Sequence, residues 1–201
     1  MNFYIADTHF GHKKILTHCK RDFASVEEMD ETIINNWNAV VSEDDDVYLL
    51  GDFGHTSVDL VAILKRLKGR KHLVIGNHDR KPVRSALFRH CFVEIHNVIE
   101  VHDNGVMIVL SHYPMAEWNG YYQGAWHFYG HIHNNGNLAQ QLMEQIPRAV
   151  NVGVDKIGFM PRTAKELMDG DFNEKDTPYR CNTAHDYDDN HHDVHAGIVL
   201  E

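Results

Sequence analysis

Five short fragments carry residue types that bind transition metals: Asp7-Thr8-His9, Gly51-Asp52, Gly76-Asn77-His78-Asp79, Ser111-His112 and Gly130-His131-Ile132-His133. Each taken alone is bland, since Gly-Asp after a strand is usually a turn and a single His is usually packed or at the surface. Together they follow five strand candidates, and in an α/β fold the carboxyl ends of strands converge on one crevice. Asp7 with His9, and His131 with His133, are two positions apart, so an extended strand end would aim both members of a pair to one side. A mixed carboxylate, imidazole and amide set without thiolate suits Mn, Fe, Zn or Ni better than Ca or Mg alone. Seven such side chains plus solvent exceed what one ion needs. Two ions about 3.5–4 Å apart, bridged by a carboxylate, use them all and activate water for in-line attack on phosphorus. The chemistry implied is phosphoester hydrolysis.

The elements that must place these groups are legible in the apolar pattern. Residues 2–6 form a short β-prone run that stops at Asp7; residues 47–50 stop at Gly51-Asp52 and residues 72–75 at Gly76-Asn77. Between them Met29, Ile33, Trp37 and Val40/Val41 recur at helical spacing, predicting a helix over 26–41 with Ser25 and Glu28 as a capping box. A second helix is predicted over 58–67. Strand, helix, strand, helix, strand is the order of an α/β layer with a largely parallel sheet. From residue 98 the pattern changes, because runs 98–101 and 106–110 flank Asp103-Asn104-Gly105, a strong hairpin signal. Antiparallel pairing is expected from there, with strands at 126–129 and 149–152 and a short helix at 163–168 capped by Thr163 and Glu166. Two sheets are therefore expected.

The composition of the 201-residue chain, 43% apolar and 24% charged, is that of a soluble globular protein. Its longest aliphatic run, 106–110, falls far short of the roughly 20 residues that cross a bilayer. No Lys or Arg precedes Lys13, and Asp7 interrupts any apolar leader, so a cytoplasmic protein with no membrane partner is expected. Cys19, Cys91 and Cys181 have the spacing of neither a disulfide framework nor a zinc site. A net charge of −10 repels a nucleic-acid backbone, so no extended nucleic-acid binding is expected. Residues 169–201 hold nine acids against two bases, which places most of that charge in one segment. The expected organisation is one domain over 1–168 and an acidic, His-rich extension over 169–201. The sequence specifies no oligomeric state.

The five fragments, in this order, resemble the calcineurin-like metallophosphoesterase superfamily, whose pattern is Asp-x-His, Gly-Asp, Gly-Asn-His-(Asp/Glu), His and Gly-His-x-His. The match runs from residue 7 to 133. The opening Asp7-Thr8-His9-Phe10-Gly11-His12, and Ser111-His112-Tyr113-Pro114-Met115 followed by Trp118-Asn119, are similar to its small bacterial and phage-type members. The resemblance implies an α/β fold built as a two-sheet β-sandwich flanked by helices, in four αββα layers. It implies two divalent transition-metal ions, manganese foremost with iron, zinc or nickel as alternatives, and a hydrolase acting on a small phosphomonoester, phosphodiester or nucleotide. By the same resemblance Asp7, His9 and His133 would hold one ion, Asn77, His112 and His131 the other, and Asp52 would bridge them. His78 would donate a proton to the leaving oxygen, and Asp79 would accept its other ring N–H. A nuclease or cyclic-nucleotide phosphodiesterase is the narrower alternative. A non-catalytic metal-binding interaction module of the same fold is the alternative outside the enzymes, and the intact His78 argues against it.

Other residues have two readings each. His12 and His55 lie beside motif strands, as contacts to ligands or substrate or as ordinary loop residues. His18, His72, His90, His96, His102 and His127 read as structural. Trp118, Tyr121, Tyr122 and Trp126 crowd one loop; Trp118 and Tyr122 could wall a substrate pocket, or the group could be a satellite hydrophobic cluster. Lys13, Lys14 and Arg21 follow the first ligand pair, and Arg21 could grip two phosphate oxygens with its planar fork. His185, His191, His192 and His195, among the acids of the extension, read as a polar segment without a catalytic role.

Overall fold

The computed structural model describes residues 1–170. The extension from residue 171 on, with Cys181, its histidines and the terminal strand expected near 196–200, lies outside the described residues.

A five-stranded sheet has the order β4-β3-β2-β1-β9, made of β1 (Asn2–Ile5), β2 (Asp46–Leu49), β3 (Arg70–Val74), β4 (Glu94–His96) and β9 (Arg162–Thr163). Strands β1 to β4 are parallel and β9 closes the edge antiparallel to β1. The second sheet has the order β5-β6-β7-β8, from β5 (Val98–Asp103), β6 (Val106–Ser111), β7 (Trp126–Tyr129) and β8 (Ala149–Asn151). Antiparallel pairing is confined there to the β5–β6 hairpin; β7 and β8 run parallel to β6, contrary to the sequence expectation. The reason lies in the connections. Only Asn104-Gly105 is a tight turn, both residues having positive φ of 50° and 76°, whereas segments 112–125 and 130–148 are long enough to cross over.

Helix α1 (Lys13–His18) was not anticipated, and α2 (Val26–Val40) buries Met29, Ile33, Ile34 and Trp37 as its spacing requires. The capping box of α2 is half made: Ser25 accepts the Glu28 amide, while the Glu28 carboxylate accepts from Ala24 instead. Helix α3 (Leu60–Arg66) begins two residues later than expected, because Asp59 accepts the amides of Val61 and Ala62. Helices α4 (Ala86–Arg89), α5 (Leu138–Met143) and α6 (Val154–Ile157) are too short to leave a periodicity, whereas α7 (Ala164–Asp169) has the full Thr163–Glu166 box. Among the described residues no helix is long and apolar enough to cross a membrane.

The two sheets share one core. Phe3, Tyr4, Ile5 and Leu49 join Ile108, Leu110 and Phe128 in a single buried cluster, with the Tyr4 ring edge-on to Phe128 at 5.1 Å. Beyond the strands, Ala6 pairs with Gly153, the Ala6 amide donating to Val152 and the Val154 amide to Ala6. This bridge ties the carboxyl end of one sheet to that of the other and brings all five fragments to one place.

Candidate metal centre

The loops that carry the donors are backbone-strained. Asp7 (φ 58°), His9 (51°), Asp52 (55°), His131 (70°) and His133 (48°) are all left-handed, a region that L-residues with a Cβ enter at a cost of about 1 kcal/mol or more each. The extended strand ends expected to aim both members of a pair to one side are not there: the strands have ended, and each pair sits on left-handed backbone. The loops are laced together by the His9 amide on the Asp52 carbonyl (3.0 Å) and the His131 amide on Asp7 Oδ2 (2.8 Å). Glycine is required where donor side chains come close. A Cβ at Gly130 would lie 2.7 Å from Asp7 Oδ2, and one at Gly51 would lie 2.5 Å from His112 Nδ1.

Asp7, His9 and His133 form one compact group of donor atoms, and Asp52, His112 and His131 form another. Asp52 lies between them, with Oδ2 3.7 Å from His9 Nε2 and Oδ1 3.5 Å from His112 Nε2. Asn77 Oδ1 meets His112 Nε2 at 3.1 Å, which brings the seventh expected donor into the second group. Two rings are anchored through Nδ1, His112 on the Leu50 carbonyl (2.8 Å) and His133 on Asp155 Oδ2 (2.7 Å), leaving Nε2 toward the crevice.

Charge is finely opposed here. Burial raises the carboxyl pKa of Asp7, whereas Asp52, although buried, is held low by the hydrogen bond and charge of His112. Burial lowers His112, but Asp52 and Asp7 outweigh it and push the imidazole up to about 9. His131 goes down to about 4 through burial and the neighbouring His112, and burial with the charge of His133 takes His9 well below the imidazole range. Cations would take the place of these protons. The donor set fits a divalent cation on a further count, because Asp7 Oδ1 and His9 Nε2 are buried with no hydrogen-bond partner. Such orphans cost about 1–3 kcal/mol each unless something satisfies them.

Several expected roles fall differently. Asp79 does not accept from the His78 ring: its buried carboxylate takes the amides of Asp52 (2.7 Å), Phe53 (3.0 Å) and Gly76 (2.8 Å), bracing two ligand loops against each other. His78 is exposed, with its amide on Asp52 Oδ1 (2.9 Å) and its Nε2 3.9 Å from Asp52 Oδ2. Arg21 does not reach the crevice. It is buried, with both edges of its fork on Asp155 (2.7 and 2.8 Å) and further bonds to the carbonyls of Asp7 and Thr8. Trp118 is buried in a satellite cluster with Val109 and Ala125 and donates Nε1–H to the Ala125 carbonyl, so the packing reading holds for it. Tyr122 is 78% exposed and donates to Glu117, and with Trp118 it lines a shallow, open surface depression. His127 is structural, as expected: it is buried, with Nδ1 on the Val109 carbonyl and Nε2 accepting from Met115.

Asp155 was missed altogether. It holds both Arg21 and His133, and Arg21 keeps its carboxyl below the ordinary range against the effect of burial. The available signal was a lone acid, Asp155, just past the strand at 149–151, the same placement as Asp7 and Asp52 without a second motif residue beside it.

The chain is 34% identical over 162 residues to the uncharacterized protein MJ1445 of Methanocaldococcus jannaschii, covering 79% of this chain and 84% of that protein. A protein of unknown function from Aquifex aeolicus, AQ665, overlays with a TM-score of 0.67 at 26% identity, over 83% of this chain and 97% of that one. A novel archaeal phosphodiesterase overlays at a TM-score of only 0.42 and 17% identity, over 76% and 81% of the two chains, too loosely to bear on activity. No protein-family model matches the chain.

Proposed function

Since this chain belongs to the family of the archaeal protein MJ1445, a membership that brings no activity with it, we propose its function from the site itself: a binuclear metal-dependent phosphoesterase of the calcineurin-like kind. The four-layer αββα arrangement, manganese as the preferred ion and a cytoplasmic location belong to the same proposal. The observation that carries it is the pair of orphaned atoms, Asp7 Oδ1 and His9 Nε2, buried without a hydrogen-bond partner among the gathered donors.

In this reading Asp7, His9 and His133 hold one ion, Asn77, His112 and His131 hold the other, and Asp52 serves both. When bound, the ions supply Lewis acidity toward a phosphoryl oxygen and an activated water for in-line displacement. The chain's own residues do the rest. Leu50 and Asp155 fix the tautomers of His112 and His133 by accepting their Nδ1–H. Asp79 holds the Asp52 and Gly76 loops in register. His78, exposed beside Asp52, protonates the departing oxygen, a role typically worth about 10²- to 10⁴-fold. Its ring is not held by Asp79 but packs against the rings of His9 and His12, at 5.1 and 5.4 Å.

A small phosphoester or nucleotide is the substrate class in this proposal, with a nuclease or cyclic-nucleotide diesterase as its narrower form. The test is a panel of aryl mono- and diesters, nucleotides and 2′,3′-cyclic nucleotides with Mn, Ni, Zn or Mg added to the metal-stripped chain. Metal-dependent hydrolysis of at least one class, abolished by Asp52→Asn, is expected. Metal binding without turnover of any ester would favour the non-catalytic module.

A further inference from the structure

His9 and His12 face one another through the same ring atom, their Nδ1 nitrogens 3.3 Å apart. A hydrogen bond between two neutral imidazoles needs one N–H and one lone pair, so one of the two Nδ1 atoms carries the proton and the other accepts it. The far side of His9 decides which. Its Nε2 is the orphaned atom, 3.7 Å from Asp52 Oδ2, and a nitrogen that holds a cation presents a lone pair. The proton of His9 then sits on Nδ1. We propose that His12 positions His9 for the cation by accepting that Nδ1–H, so that the ring of His12 keeps its own proton on Nε2. The inference rests on the metal-dependent reading but concerns a residue outside the seven donors.

The surroundings of His12 are built to hold it there. Gly11 is left-handed, at φ 70°, and its amide is bound by both oxygens of Asp30 at 2.9 and 3.1 Å. Its carbonyl accepts from Ser57 Oγ, and the His12 amide donates to the His9 carbonyl at 3.0 Å. The His12 ring also stacks on His55 at 5.1 Å and 17° and lies 5.4 Å from the His78 ring, and His55 is itself fixed by the Ser57 amide on its Nδ1. A side chain at Gly11 would strike Val58, so the turn that aims His12 at His9 admits no bulk. The ring thus meets a metal-donor candidate through Nδ1 and packs against two further imidazoles. The opposite polarity, His12 donating to His9, would put the proton on His9 Nε2 and close that nitrogen to a cation.

The test uses the full chain and zinc, which is diamagnetic. Long-range ¹H–¹⁵N correlations of the zinc-loaded protein should show His9 protonated at Nδ1, and calorimetric zinc titration measures affinity. His12→Leu, which removes the acceptor, should weaken one zinc site by about 10- to 100-fold, the usual effect of losing a partner behind a metal ligand. His12→Asn, which keeps an acceptor near the Nδ1 position, should recover most of that loss. Should His12→Leu fail to fold, the wild-type tautomer and His12→Asn still decide. Protonation of His9 at Nε2 in the loaded chain, or zinc affinity unchanged in His12→Leu, would overturn the proposal and leave the metal-dependent reading standing. So would three zinc ions per chain with one lost in His12→Leu, since His9, His12 and His78 would then be ligands of a further ion. A wild-type chain that binds no zinc overturns both.

Discussion

The two halves of the crevice use the same donors under different support. On one side Asp7, His9 and His133 are 0%, 2% and 9% exposed, and behind them the buried Arg21–Asp155 pair binds His133 and the Asp7 and Thr8 carbonyls. On the other side His112 rests on the Leu50 carbonyl, Asn77 and His131 are partly exposed, and the 43% exposed Tyr113 leans its ring on both His112 and His131. The lesson is one of mechanics. A buried ion pair backs the first group, whereas the second is held through backbone groups, His112 on the Leu50 carbonyl and Asp52 on the His78 amide, and its Asn77 and His131 reach partly into solvent.

The largest effect should come from breaking that support. Asp155→Ala leaves Arg21 buried without its partner, and the cost is expected at about 3–5 kcal/mol. Urea unfolding of the metal-free chain measures it. A loss under 1 kcal/mol would mean that the ion pair does not distinguish the two sides.

A smaller effect probes the other half. His112 is raised to about 9 in the folded chain against 6.5 unfolded, by Asp52 and Asp7 over an opposing burial. A raised imidazole stabilises the fold below the unfolded value, and that contribution is lost as pH climbs through 9. With metal chelated, stability should therefore fall by up to about 3 kcal/mol between pH 6.5 and 9. With metal present the sign reverses at the second group, because a cation must displace the proton: its affinity should rise with pH up to about 9. A flat profile in both experiments would contradict the charge pairing of His112.

The smallest effect is expected at Tyr122. Its ring stands in solvent, and Tyr122→Ala should change stability by no more than about 0.5 kcal/mol and leave KM for any ester within twofold. A selective rise in KM for nucleotides would restore the substrate-wall reading and give the open half a recognition surface.

What the sequence disclosed follows from how far each signal reaches along the chain. Helix α2, the β5–β6 hairpin and the α7 cap rest on patterns of a few adjacent residues, and they appear within a residue or two of expectation. The donors were legible because each follows an apolar run. Arg21 was misread for the converse reason. Its partner Asp155 lies 134 residues away, and nothing near Arg21 in the sequence shows that its fork is already filled. Asp79 was misread because backbone amides, its real partners, have no residue type to reveal them. The parallel course of β7 and β8 likewise depends on long crossovers rather than on the strands themselves.

The left-handed backbone at Asp7, His9, Asp52, His131 and His133 sets a direction for drift. At each of these positions the substitution that most relaxes the chain is glycine, the one residue for which this conformation is free. Selection for foldability alone would therefore erode the crevice from within, trading donors for ease of folding, and a copy of this gene released from its chemistry should accumulate glycine there. Lys20, Arg148 and Phe159 share this conformation outside the crevice, so it is the gathering of five Asp and His donors on left-handed backbone at one place, rather than the conformation itself, that the proposed metal site would explain.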